Sequence, residues 1–154
     1  MHIAGEDFLF LSEDRDTKSP RIASRLLTFN TTTNRFEVFQ SIPTDGAHAA
    51  ELFEGPGGKA YLAIANFGDR LGKRYASDSS VWEFDEQKRQ FKQIATVPTQ
   101  GATDWEHFSM QGRHYLVVSN EGDVSNGKFQ ISHAYELMPA ASDSGPAARS
   151  KTEV

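Results

Sequence analysis

Apolar side chains in this chain gather in short runs that alternate with polar positions and are bounded by Gly, Asn, Asp and Pro. Such runs, rich in Val, Ile, Phe, Tyr and Trp, mark β-strands, and no stretch carries the stripe of an amphipathic helix. About ten strands are predicted, near 8–12, 24–30, 35–42, 47–54, 59–66, 80–85, 90–97, 102–109, 113–119 and 131–137. Turns fall between them at "NTTTN", "DEQKRQ", "PTDG", "SMQG" and Asn126-Gly127, and "GPGG" at 55–58 reads as a hairpin turn with one residue inserted. In "HYLVVS", Tyr115 and Val117 project one way while Leu116 and Val118 project the other. A strand apolar on both faces must be covered on both. "FKQIATV" mixes in Lys92, Gln93 and Thr96, as a strand nearer solvent does.

The pattern also repeats. Pro43-Thr44-x-Gly46-Ala47 returns as Pro98-Thr99-x-Gly101-Ala102, followed by Glu51 and Glu106, Phe53 and Phe108, Tyr61-Leu62 and Tyr115-Leu116, then Asn66 and Asn120. Leu27, Phe29 and Phe36 fall on Trp82, Phe84 and Phe91, while "FLFLSED" at 8–14 and "AYEL" at 134–137 are pieces of further copies. A unit of this length with four short antiparallel strands, the inner ones buried on both sides, suits propeller blades stacked face to face. A duplicated β-sandwich satisfies the strand count as well.

Composition bounds what such a protein does. The 38% hydrophobic and 11% aromatic content is that of a globular protein. The net charge of -5, with basic residues scattered among more numerous acids, offers no footprint for a phosphate backbone, so nucleic acid is not an expected partner. With no cysteine, the chain has neither disulfides nor a thiolate metal site. The apolar run Phe8 to Leu11 is too short for a signal-peptide core or a membrane span, so neither export by this segment nor membrane insertion is expected.

"GATDWEHF", "HYLVVSN" and "VWEFDEQKRQFKQI", with the looser "GAHAAELF", "AYLAIAN" and "FEVFQSI", resemble the EAR repeat, also called the EPTP or epitempin repeat. The resemblance spans 8–137, with full units near 43–97 and 98–137 and a partial unit at 8–42. It implies an all-β fold, a partial β-propeller of about two and a half four-stranded antiparallel blades, since a whole propeller at this period needs roughly 200 residues or more. It further implies a non-enzymatic, extracellular or cell-surface module for adhesion or signalling that binds a protein ligand such as a receptor. A propeller glycan hydrolase, acting through paired carboxylates, and a purely structural repeat are the alternatives. Uncovered blade faces and strand edges invite self-association.

Candidate chemistry is sparse. Asp104 stands at the family's Gly-Ala-x-Asp position, where a ring of carboxylates would hold calcium, but the other copy has Ala49 there. Glu51 and Glu106 are the other inner-strand acids, and their recurrence at one repeat position favours a structural role over two catalytic ones. His2, His48, His107, His114 and His133 have no zinc spacing, although His107 and His114 flank a turn. No serine-nucleophile elbow or phosphate loop is present, and no cofactor is expected. "FGDRLGKRYASD" is the longest and most charged loop, making Asp69, Arg70, Lys73, Arg74 and Tyr75 the candidate protein contacts. Asn30-Thr31-Thr32 is a glycosylation sequon at a hairpin tip. The tail at 138–154 has the composition of a disordered segment, and its Thr152-Glu153-Val154 end suits capture by a PDZ domain.

Overall fold

Alternating apolar positions commit each short strand to two neighbours in a sheet, and tight turns make those neighbours the adjacent strands in sequence. A computed structural model of the chain describes residues 1–122 and 131–138 and, for the backbone alone, 151–153. Three antiparallel sheets form in chain order. The first holds β1 (His2–Ile3), β2 (Glu6–Leu11), β3 (Ala23–Asn30) and β4 (Arg35–Pro43). The second holds β5 (Ala47–Glu54), β6 (Ala60–Asn66), β7 (Ala76–Asp85) and β8 (Gln90–Gln100). The third holds β9 (Ala102–Met110), β10 (Arg113–Asn120), β11 (His133–Leu137) and β12 (Lys151–Glu153). These are blades of a partial β-propeller, the outer two curtailed by the very short β1 and β12.

All the predicted strands form, and two more join them. β1 turns into β2 through Ala4 and Gly5, both with positive φ. β12 pairs with β11, with Ala134 opposite Thr152, giving part of the tail a backbone partner that its composition does not suggest. Strand β7 starts at Ala76, ahead of the predicted 80, and shortens the charged loop to 67–75. "GPGG" becomes a single 3-10 turn, Pro56–Gly58, with Gly57 and Gly58 at positive φ.

The second blade is the centre of the structure. All seven residues of β6 are buried. Ala60, Leu62 and Ile64 face the first blade, where they meet Phe8, Leu26 and Ile42. Tyr61, Ala63 and Ala65 face the third, where they meet Trp105, Leu116 and Val118. β10 behaves differently from the two-sided burial its sequence predicts. Leu116 and Val118 are buried against the second blade, whereas Tyr115 and Val117 remain partly exposed because no further described sheet lies beyond them.

A bulge recurs at the equivalent place in two blades. Register shifts between Leu26 and Leu27 and again between Val81 and Trp82, leaving Phe39 on β4 and Ile94 on β8 without a direct cross-strand partner. Each turns into the interface with the following blade: the Phe39 ring lies 6.4 Å from that of Phe84 on the second blade, and Ile94 lies against the cluster around Trp105 on the third. Replacing Leu62 by Ala should cost about 2–5 kcal/mol by urea unfolding, because the cavity opens where two blades meet and neither can collapse into it.

Candidate functional site

The residues that define the repeat converge on the rim where each blade passes to the next. A serine hydroxyl at the head of the third strand accepts a backbone N–H leaving the second: Ser24 from Glu13 at 3.0 Å, Ser79 from Asn66 at 3.1 Å, and Ser132 from Asn120 at 3.4 Å. The motif threonines join the same clasp. Thr44 lies 2.9 Å from the Ser24 hydroxyl and donates to the Ile22 carbonyl, as Thr99 lies 2.9 Å from Ser79 and donates to Ser77. Asn66 Oδ1 accepts from the Asp45 amide at 3.2 Å while its Nδ2 donates to the Asp78 carbonyl at 2.7 Å. Asn120 does the same between Gln100 and Ile131, at 3.2 Å each. The Gly46 and Gly101 amides donate to carbonyls of the preceding blade, Pro20 and Tyr75, at 2.8 and 2.7 Å.

Charged side chains surround this clasp. Asp45 takes Arg74 Nη2 at 2.6 Å, Ser77 at 3.2 Å and, more loosely, Arg21 at 3.6 Å. Burial pushes the Asp45 carboxyl up, but the hydrogen bond and charge of Arg74, with Ser77 and Arg21, outweigh it and hold the group below its ordinary range. Asp69 accepts the Gly72 amide at 2.9 Å and Arg15 at 3.2 Å, and the Gly72 bond is the main reason its carboxyl is also held low. Arg70 lies 4.4 Å over the Phe67 ring and pairs with Glu121 at 3.1 Å. The ion pairs thus link a loop of the first blade, the 67–75 loop of the second and the start of the loop after β10.

The five contact candidates therefore divide. Asp69, Arg70 and Arg74 are engaged within the rim, and Tyr75 is buried edge-on to Phe67. Lys73, at a positive φ of 55°, is exposed. The loop also lifts Leu71, 73% exposed, to its tip, a residue sequence reasoning passed over although it is the one apolar side chain among the charges. Arg15, Arg21 and Asp45 were missed too, since nothing in their spacing shows that they meet.

The inner strands bring the three acids together at one interface. Burial raises the carboxyl of Glu51 above its ordinary value, and the nearby charges of Glu106 and Asp104 push it further. Asp104 is exposed, and its Oδ1 accepts the amide of Trp105 at 3.0 Å. Among the described residues no group of three or more Asp, Glu or His is placed to hold a metal ion. His107 stacks on Phe53 at 4.3 Å between ring centroids, and its Nε2 lies 3.1 Å from His114 Nδ1. Burial and the His114 ring both lower the His107 pKa, against the pull of Glu106. At the β3–β4 tip Asn30 caps the turn, accepting from Thr32 and Thr33, and its Nδ2 donates to Glu37. Thr152 lies in β12, and Val154 lies outside the described residues.

One more motif residue acts across blades. Gln40 on β4 donates to the Phe91 carbonyl at 2.9 Å and accepts the Phe91 amide at 2.8 Å, so its amide pairs with β8 as a strand would. Further along the chain, residues 90–137 match the model of the EPTP domain. This stretch is similar to the EPTP domain. The match covers β8 of one blade and β9 to β11 of the next, so it straddles two sheets.

Two curated relatives share the resemblance. The human thrombospondin-type laminin G domain and EAR repeat-containing protein is 37% identical over 98 residues, 62% of this chain and 14% of that protein. The mouse protein of the same name is 34% identical over 105 residues, 67% of this chain and 15% of its own length. The chain thus spans about a seventh of these relatives, whose printed names give repeats and domains and no catalytic activity. Among the described residues no helix is long and apolar enough to cross a membrane.

Two consequences are measurable. Asn66→Ala, which strands a buried amide and a carbonyl, should lower stability by about 1–3 kcal/mol in chemical unfolding. Glu51→Gln acts with pH. The folded carboxyl titrates above the unfolded one, so the wild type loses stability as pH rises through that interval. The variant should melt higher than wild type at pH 7, by at most about 1 kcal/mol for a half-exposed group, and the difference should vanish below about pH 4.

Proposed function

We propose that this chain is a non-enzymatic protein-binding module of an extracellular or cell-surface protein, engaged in adhesion or signalling through the rim that carries the 67–75 loop. The observation that carries this reading is the bracing of that loop. Asp69 ties it from within through Gly72, and Arg70 and Arg15 tie it to the neighbouring blades. A loop held this firmly yet ending in exposed Leu71 and Lys73 presents an apolar anchor beside a cation at little ordering cost, as protein-recognition surfaces do. The EPTP match and the relatives' repeat architecture support the same reading. In an extracellular setting the exposed β3–β4 tip makes Asn30 a glycan acceptor remote from this rim.

Fluorescently labelled chain applied to live mammalian cells provides the test. Saturable binding that surface proteolysis abolishes is the expected result, and Leu71→Asp with Lys73→Glu should weaken it at least tenfold with an unchanged melting curve. Undiminished binding by that double variant would move the contact off this rim, and absence of saturable binding would count against the module itself.

A further inference from the structure

The two ends of the blade stack expose opposite halves of one interface. On the first blade, Leu9, Leu11, Phe36 and Val38 are exposed, with the Phe29 ring set 5.2 Å from Phe36. Cross-strand register puts Leu9 opposite Leu27, Leu27 opposite Val38 and Phe29 opposite Phe36, so this is one continuous apolar face. By repeat position it corresponds to Leu62, Ile64, Trp82, Phe84 and Phe91, the face that the second blade packs against the first.

Among the described residues, the third blade is open on its other side. Phe108 is opposite Tyr115, and the two rings stack at 5.2 Å and 17°. Phe53 and Tyr61, at the equivalent positions of the second blade, stack at 5.5 Å and 18°, and there the pair is buried against the third blade. Val117 lies on the same open face as Tyr115 and corresponds to Ala63. Each open face is thus the counterpart of one that already has a blade on it inside this molecule, and the chain makes that junction twice.

We infer that the open face of the third blade docks on the open face of the first blade in a second copy of this chain, repeating head to tail the junction already made between blades one and two and between two and three. The contact uses different patches on the two copies, which a two-fold contact between like faces would not. It is independent of the rim, since Leu71 and Lys73 lie on neither face.

Light scattering on the full chain should give a mass at least twice the 17.1 kDa of one copy. Two variants separate the faces, using positions that are already exposed in the single chain: Leu9→Lys with Val38→Lys, and Phe108→Lys with Met110→Lys. Each alone should run as a monomer with the circular dichroism of the wild type. Mixed in equal amounts they should form a 1:1 complex, because each keeps the face the other has lost. A monomeric wild type, a single-face variant that still dimerises, or a mixture that stays monomeric would each overturn the inference. The milder Val38→Thr and Met110→Thr pair, read by the same mixing measurement, serves if a lysine variant loses its β signature.

Discussion

β6 has no solvent side, and the rest of the molecule is arranged around that fact. A strand buried on both faces cannot end a protein. Leu62 and Ile64 require a sheet on one side, and Tyr61, Ala63 and Ala65 require one on the other. The small residues set the spacing. Alanines on the third-blade side admit the large Trp105, while Leu62 and Ile64 on the first-blade side meet a layer of phenylalanines. The two interfaces are filled by different residues, yet each puts bulk opposite a gap, which is how close packing is reached between flat layers.

Hydrophobic stacking alone would let blades slide, and the polar residues of the internal repeat oppose this. The Ser and Thr side chains bond to main-chain groups within a blade, Asn120 accepts the Gln100 amide at the end of the preceding blade, and Gln40 reaches from one blade to the backbone of the next. Ala95 stands at the repeat position of Gln40, beside an apolar gap of about 20 Å3 lined also by Ile94, Trp105 and Tyr135. The two junctions are therefore not equally fastened. At this position the first has a two-point amide clamp, and the second has packing and the stacked Phe53 and His107 in its place.

The strands were legible because period-2 alternation and Gly- or Asn-rich turns act locally, and the blade stack was legible because "YLAIAN" and "HYLVVS" are apolar on both faces. Tertiary facts were not. Tyr75 stands in a charged loop and reads as exposed, but the loop folds back and seats its ring on Phe67. Arg15 and Asp69 are 54 residues apart and meet only because adjacent blades bring equivalent loops side by side. β1 escaped notice because two residues carry no periodicity, and β12 because its pairing is a property of the backbone. The motif asparagines and threonines were visible as a repeat, but the bonds they make appear only once the segments they join are in place.

The angle between blades is set by very little chain. β8 ends at Gln100 and β9 begins at Ala102, so Gly101 alone carries the backbone from the outer edge of one blade to the inner strand of the next. Its φ of 62° and that of Gly46 at 64° lie in the left-handed region that glycine enters without strain. At Gly46 a Cβ would stand 2.2 Å from the Gly68 carbonyl oxygen, whereas at Gly101 the nearest atoms lie at 3.4 Å. The first junction is thus closed to any side chain by contact as well as by conformation, and the second by conformation alone. Because the EPTP match begins on β8 and runs through this glycine into β9, it includes the joint as well as the sheets on either side. A unit phased in this way transmits its own blade angle each time it is repeated, which is what a stack that grows by adding like blades requires.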